Sequence, residues 1–217
     1  MLATRNFDEH WYLASIYFFL HFQYNGFFIF TCMGLVYRQI QTVLPSFKPD
    51  NLIFKLFFIS FIPAYFLSVL WAKIPVWLYS IVVIAAFMQV YAWIKFLIQV
   101  KNSLASKTNL TKFSEYLFLF VGAAFSIKLL LQLGSTIPIL STLAFGFRPI
   151  VIAYLHLVLL AVISVFLMTY TYSFQLINTT KLTMIGLTLF AIGVFLNELV
   201  LAVQGIASFS YIPIPMV

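Results

Sequence analysis

Residues 11–36 read WYLASIYFFLHFQYNGFFIFTCMGLV, a run without one Asp, Glu, Lys or Arg. At 1.5 Å of rise per residue, a helix of this length covers a hydrocarbon core of about 30 Å with residues to spare. Its N-terminal flank carries Asp8 and Glu9, and the stretch is far too long for the apolar part of a signal peptide. No small-residue cleavage site follows it. The segment is expected to stay in the membrane as a first span.

Five further segments repeat the pattern. They run from about Leu52 to Ala72, Val76 to Ile98, Ser114 to Gly134, Pro149 to Tyr170 and Leu182 to Ala207. Composition agrees, with 64% of residues hydrophobic and 8% charged, against roughly 25% charged in soluble domains. No soluble domain fits in what remains. The chain is therefore expected to be all-α, a polytopic bundle of six spans forming a single transmembrane domain over residues 1–217. Its expected surroundings are a lipid bilayer, that of a bacterial inner membrane, and possible neighbours are other membrane subunits. Pro75 and Pro149 fall in first turns, where a missing N–H costs nothing. Pro63 falls inside segment two and predicts a kink. The connections are short, with no Gly/Ser linker and no internal repeat. The most apolar connection, Thr136 to Arg148, is expected to lie along the membrane surface.

The net charge of +7 suggests topology rather than nucleic acid, because the basic residues sit in the connections. With the N-terminus outside, Arg38, Lys48, Lys55, Lys95, Lys101, Lys107, Lys112 and Lys181 lie inside, against Arg5, Lys73 and Arg148 outside. Both termini are expected outside. Asn109 and Asn178, which open glycosylation-like triplets, would then face the cytoplasm. Trp11, Tyr12, Trp71, Trp77, Tyr79, Trp93 and Tyr172 lie near segment ends, as interfacial aromatic residues do. Cys32 is the single cysteine, so neither an internal disulfide nor a zinc cluster of cysteines is available. His10 falls near the outer boundary, away from the polar groups deeper in the membrane.

Polar side chains inside spans are expensive and therefore informative. Counted from the outer ends, His21, Lys128, His156, Asn197 and Glu198 lie at depths of roughly 10–14 Å, with Gln132 one turn nearer the surface. Four segments thus place polar groups in one layer. On segment one, Tyr17, His21, Tyr24 and Asn25 share a stripe that continues to Phe28 and Cys32. On segment four, Ala124, Lys128 and Gln132 align. On segment five, Ala153, His156 and Ser164 lie together. On segment six, Gly186, Gly193, Asn197 and Gln204 form a stripe of the kind that marks a packed helix interface. Lys128 and Glu198 are expected to pair and neutralise each other.

His21-Phe22-Gln23-Tyr24, followed by Gly26 and Gly34, resembles the heme-ligating helix of heme–copper oxidase and nitric oxide reductase catalytic subunits. Their pattern is His-Phe-His-Tyr followed by glycines. The resemblance covers about a dozen residues of the 217. It implies a membrane protein related to respiratory electron-transfer subunits, a heme in the outer half of the bilayer, and His21 as the high-spin heme ligand. Gln23 stands where the low-spin ligand would be, and no adjacent His-His pair exists to hold copper.

Three functions follow from these residues. His21 and His156 could hold heme from two helices, or another metal with Glu198 and a water. Glu198, Lys128 and His156 could form the relay of a small-solute or proton-coupled transporter. A structural or assembly subunit would use the polar layer only as interhelical glue. No Ser-His-Asp arrangement or metalloprotease motif points to a hydrolase.

Overall fold

The computed structural model describes the backbone of residues 9–70, 74–104, 110–141 and 148–209. The expectations placed on Arg5, Asp8, Trp71, Lys73, Lys107 and Asn109, and on the side chains of Glu9, His10 and Arg148, fall outside the described residues. So do residues 142–147 of the connection from Thr136 to Arg148.

The described residues contain six helices long and apolar enough to cross a membrane. Helix α1 spans 9–43 and α2 spans 51–69; α3 is Val76–Leu104 and α4 is Lys112–Gly134; α5 spans 148–173 and α6 is Lys181–Phe209. Several helices run past the apolar stretches that predict them, α1 by seven residues beyond Val36 and α3 by six beyond Ile98. Hydrocarbon thickness limits the apolar run, whereas the hydrogen-bonded ladder continues through polar residues until a breaker stops it.

Two departures from α geometry matter for the site. Pro63 offers no N–H to the carbonyl of Ile59. After Ala64, α2 tightens into a 3-10 turn over Tyr65–Val69, and the Tyr65 N–H turns to the Ile62 carbonyl. The carbonyl of Phe61 thereby loses its ordinary partner four residues on. The predicted kink is thus a change of helix type. The second departure is unannounced in the sequence: His21–Phe28 of α1 and Leu157–Ser164 of α5 are π-helical. Such wider turns are rare and often accompany functional sites. The Ser164 hydroxyl supports one of them by donating to the Leu159 carbonyl, five residues back, at 2.8 Å.

The helices pack in a definite order. Helix α2 lies along α3, α4 sits between α3 and α5, and α6 rests on α5. The π stretches of α1 and α5 touch each other. Helix α6 is the edge of the bundle, with 11% of its most apolar window buried against 28–39% in the other spans. Polar clips fix the two ends. At one end the Tyr65 hydroxyl donates to the Ala14 carbonyl at 3.0 Å, and the Tyr79 hydroxyl donates to the Thr136 carbonyl. At the other, the Tyr37 hydroxyl donates to Gln99 at 3.0 Å, Gln99 donates to the Lys48 carbonyl at 3.1 Å, and Lys95 meets Asp50 at 3.6 Å. Asp50 also caps α2, accepting from the Leu52 N–H at 2.8 Å.

Three expectations change here. Trp93 is buried and donates its indole N–H to Ser126 at 2.9 Å, so it belongs to the α3–α4 core rather than the interface. Tyr172 is likewise buried, against Phe113 at 5.5 Å between ring centroids. Trp11 and Trp77 are exposed near helix ends, as expected. The Gly186–Gly193 stripe is not an interface within the chain, because both glycines are exposed and a Cβ added at either meets nothing within 4 Å. Helix α6 instead turns Leu187, Val194 and Gly205 inward, with Gly205 against Ile150 of α5.

Candidate functional site

Lys128 projects from the buried face of α4 and is 2% exposed. Its ammonium donates to Gln132 Oε1 at 2.6 Å, one turn along the same helix. Gln132 Nε2 then donates to Gln89 Oε1 of α3 at 2.9 Å. The Phe125 ring lies beneath the ammonium, 5.5 Å from its centroid. Among the described residues the ion pair is Lys95–Asp50, and no carboxylate reaches Lys128. The expected Lys128–Glu198 pair is therefore not formed. The reason is positional: α5 stands between α4 and α6, so equal depth does not bring the two side chains together.

His21 is 4% exposed at the start of the α1 π stretch. Its Nε2 lies 3.0 Å from the Phe61 carbonyl, the one released by the 3-10 turn. A carbonyl only accepts, so Nε2 carries the proton, and in the neutral ring Nδ1 is an acceptor. Nδ1 takes a hydrogen bond from Asn25 Nδ2 at 3.3 Å. This assignment follows from the hydrogen-bond network, as it must for a histidine tautomer and an amide orientation. It directs Asn25 Oδ1 away from the ring, where it is buried without a hydrogen-bond partner among the described residues. The His21 ring also stacks on Phe61, with centroids 5.1 Å apart and planes at 16°. Gly26 permits that approach, since a Cβ there would fall 2.6 Å from Phe61 Cζ.

Asn25 and Lys128 meet across a cavity of about 10 Å³, which Gln89, Phe57, Phe61, Phe125 and Leu129 help to line. The cavity is thus bordered by Lys128, with no carboxylate opposite it among the described residues, by Asn25 and by Gln89, within an apolar, aromatic wall.

The other expected site residues lie elsewhere. His156 Nδ1 bonds the Ile152 carbonyl of its own helix at 2.9 Å. Glu198 Oε1 and Asn197 Nδ2 are buried without hydrogen-bond partners among the described residues. Tyr17 is half-buried on α1, and Tyr24 packs against the apolar core. The expected single layer is therefore two sites, an inner one around Lys128 and an edge one around Glu198.

The inner site includes two groups that sequence reading missed. The Phe61 carbonyl carries no side-chain signal, although Pro63 hints that a nearby carbonyl is loose. Gln89 is legible as a lone amide in an apolar span. Counted from Val76, however, it lies about 20 Å down, below the expected layer. Side chains lean toward their own helix N-terminus, so on antiparallel α3 and α4 Gln89 and Gln132 lean toward each other and close that gap.

These residues do not fit a heme held between His21 and His156. Both His21 nitrogens are committed to protein groups and its face is covered by Phe61, which leaves no lone pair for iron. Among the described residues, no three His, Cys, Asp or Glu side chains are grouped to hold a metal. No family model, curated protein or solved structure matches the chain.

Proposed function

We propose that this integral membrane protein binds a small anion at Lys128 and carries it across the bilayer. One observation carries the reading: among the described residues the buried Lys128 meets no carboxylate, only the amides of Gln132 and, behind it, Gln89, and the Phe125 ring. A lone charge in a membrane interior is costly, and such residues mark pathways for ions and solutes. A purely structural role would be met at lower cost by an apolar side chain in the same space. At about 10 Å³ the adjoining cavity has room for no more than a water, so it has to widen to admit an anion, which would then supply the missing countercharge beside Gln89.

The backbone around the cavity supports transport. The α1 π stretch lines it through Asn25, and α2 lines it through Phe57 and Phe61, one turn before its 3-10 break; broken helices around a cavity are a recurring means of forming and opening transporter sites. An alternating motion about these breaks would expose Lys128 to one side and then the other.

Chloride flux from proteoliposomes tests the reading. The wild-type protein should conduct or exchange chloride, Lys128→Arg should keep a reduced flux, and Lys128→Met should lose it. Equal flux from wild type and Lys128→Met, in protein that remains folded, would overturn the assignment.

A further inference from the structure

The His21–Asn25 pair gives the anion site a proton input. We infer that protonation of His21 turns the Asn25 amide and so converts the cavity from mixed polarity to an all-donor anion site, coupling one proton to one anion. The inference rests on the anion-binding reading of Lys128.

The geometry dictates the steps. In the neutral ring, Nε2–H donates to the Phe61 carbonyl and Nδ1 accepts from Asn25 Nδ2. Asn25 lines the cavity together with Lys128, and its Oδ1 is left buried without a hydrogen bond among the described residues. Adding a proton places hydrogen on Nδ1, and both ring nitrogens become donors. The Phe61 bond survives, because Nε2–H is unchanged. The Nδ1–H and the Asn25 N–H₂ now oppose each other, and a half-turn of the amide about its terminal torsion resolves the clash. Asn25 Oδ1 then accepts from His21, and its N–H₂ faces the cavity beside the Lys128 ammonium. A guest anion meets donors only, where it previously met a repelling amide oxygen.

Charge pushes in the same direction. Among the described residues, Tyr65 of the 3-10 turn and Lys128 of α4 face His21 from other helices, and Tyr17 and Tyr24 share its stripe on α1. The Tyr65 hydroxyl is already given to Ala14. The α5 π stretch beside α1, Leu157–Ser164, carries no titratable residue. A protonated His21 therefore faces Lys128 with no acidic group between them among the described residues, and an anion in the cavity offsets that repulsion. Proton and anion binding favour each other, and such coupling is reciprocal by thermodynamic necessity.

Chloride binding to the full chain in nanodiscs, measured from pH 4 to 8 so that the range reaches the protonation of a buried imidazole, tests this. Chloride does not titrate in that range, so any pH dependence belongs to the protein. The wild type should bind more tightly as pH falls, by up to about tenfold per pH unit where His21 titrates, the limit for one linked proton. His21→Gln can donate to Phe61 and accept from Asn25, imitating the neutral ring, and should bind weakly with no pH dependence. Asn25→Leu has no amide to turn and should flatten the dependence while leaving Lys128 in place. A pH-independent wild type would overturn the coupling. So would a slope that survives in His21→Gln, since it would assign the proton to Lys128. Chloride binding at no pH would overturn the anion site itself, and the coupling with it.

Discussion

The inner site and the edge site contain similar side chains but are built differently. Around Lys128 nearly every polar atom has a partner on another residue: ammonium to Gln132, Gln132 to Gln89, His21 to Phe61, Asn25 to His21. Asn25 Oδ1 is buried without a partner among the described residues, on a residue that lines the cavity. Around Glu198 the polar atoms are half-buried on the outermost helix, and two of them are orphaned. Burial raises the energetic cost of each unpaired group, so an inner network has to be almost complete while an edge network need not be. A nearly complete network with a single opening is what a ligand site requires.

If that difference is real, substitutions in the two regions should rank accordingly. The largest effect is expected from Gln132→Leu, which leaves the Lys128 ammonium without its hydrogen-bond acceptor in a dry core. Stranding a buried charge costs about 3–5 kcal/mol, and thermal unfolding in detergent should show it as a large loss. Adding Lys128→Met to Gln132→Leu should restore most of the stability, because the stranded charge is gone. An unchanged melting temperature for Gln132→Leu would mean that water already reaches the ammonium.

Next come the residues that hold His21 in place. His21→Phe leaves the Phe61 carbonyl and the Asn25 amide unpaired, at about 1–3 kcal/mol for a buried unsatisfied group. Gly26→Ala forces a Cβ to 2.6 Å from Phe61 Cζ, and overpacking of this kind costs about 1–3 kcal/mol. Both should lower thermal stability and weaken chloride binding together, since both displace the ring that orients Asn25. Wild-type binding in Gly26→Ala would separate Phe61 packing from the site.

The smallest effect is expected at the edge. Glu198→Gln should change stability little, and its effect should add to that of Lys128→Met within about 0.5 kcal/mol, as independent sites do. A larger coupling in the double-mutant cycle would restore the direct Lys128–Glu198 pair and erase the distinction between the two regions.

The six spans were legible because membrane thickness and apolar length constrain each other so tightly. Lys128 and His21 were legible as candidates because an ionisable group in a span is rare enough to stand out. Depth alone could not say which helices are neighbours, and so Lys128 was matched with Glu198 across an intervening helix. Nor could it find Gln89, which sits deep on a long helix and reaches its partner only through the lean of its side chain. The π stretches were hidden for a different reason. Leu157–Ser164 is uniformly apolar and would read as ordinary helix, so its wider turn is a product of packing rather than of local sequence. His21–Phe28 shows that a family-like motif can be read correctly as polar and buried while its chemistry is set by a carbonyl forty residues away.

The central claim is that Lys128 is a buried cation awaiting an anion, and its own nitrogen can report on it. In protein labelled at lysine Nζ with ¹⁵N, the Lys128 resonance is the one missing from Lys128→Met. Chloride added at constant pH should shift that resonance saturably while those of the exposed lysines, such as Lys55 and Lys181, stay fixed. A Lys128 resonance that ignores chloride, or moves only in step with the surface lysines, would contradict the account.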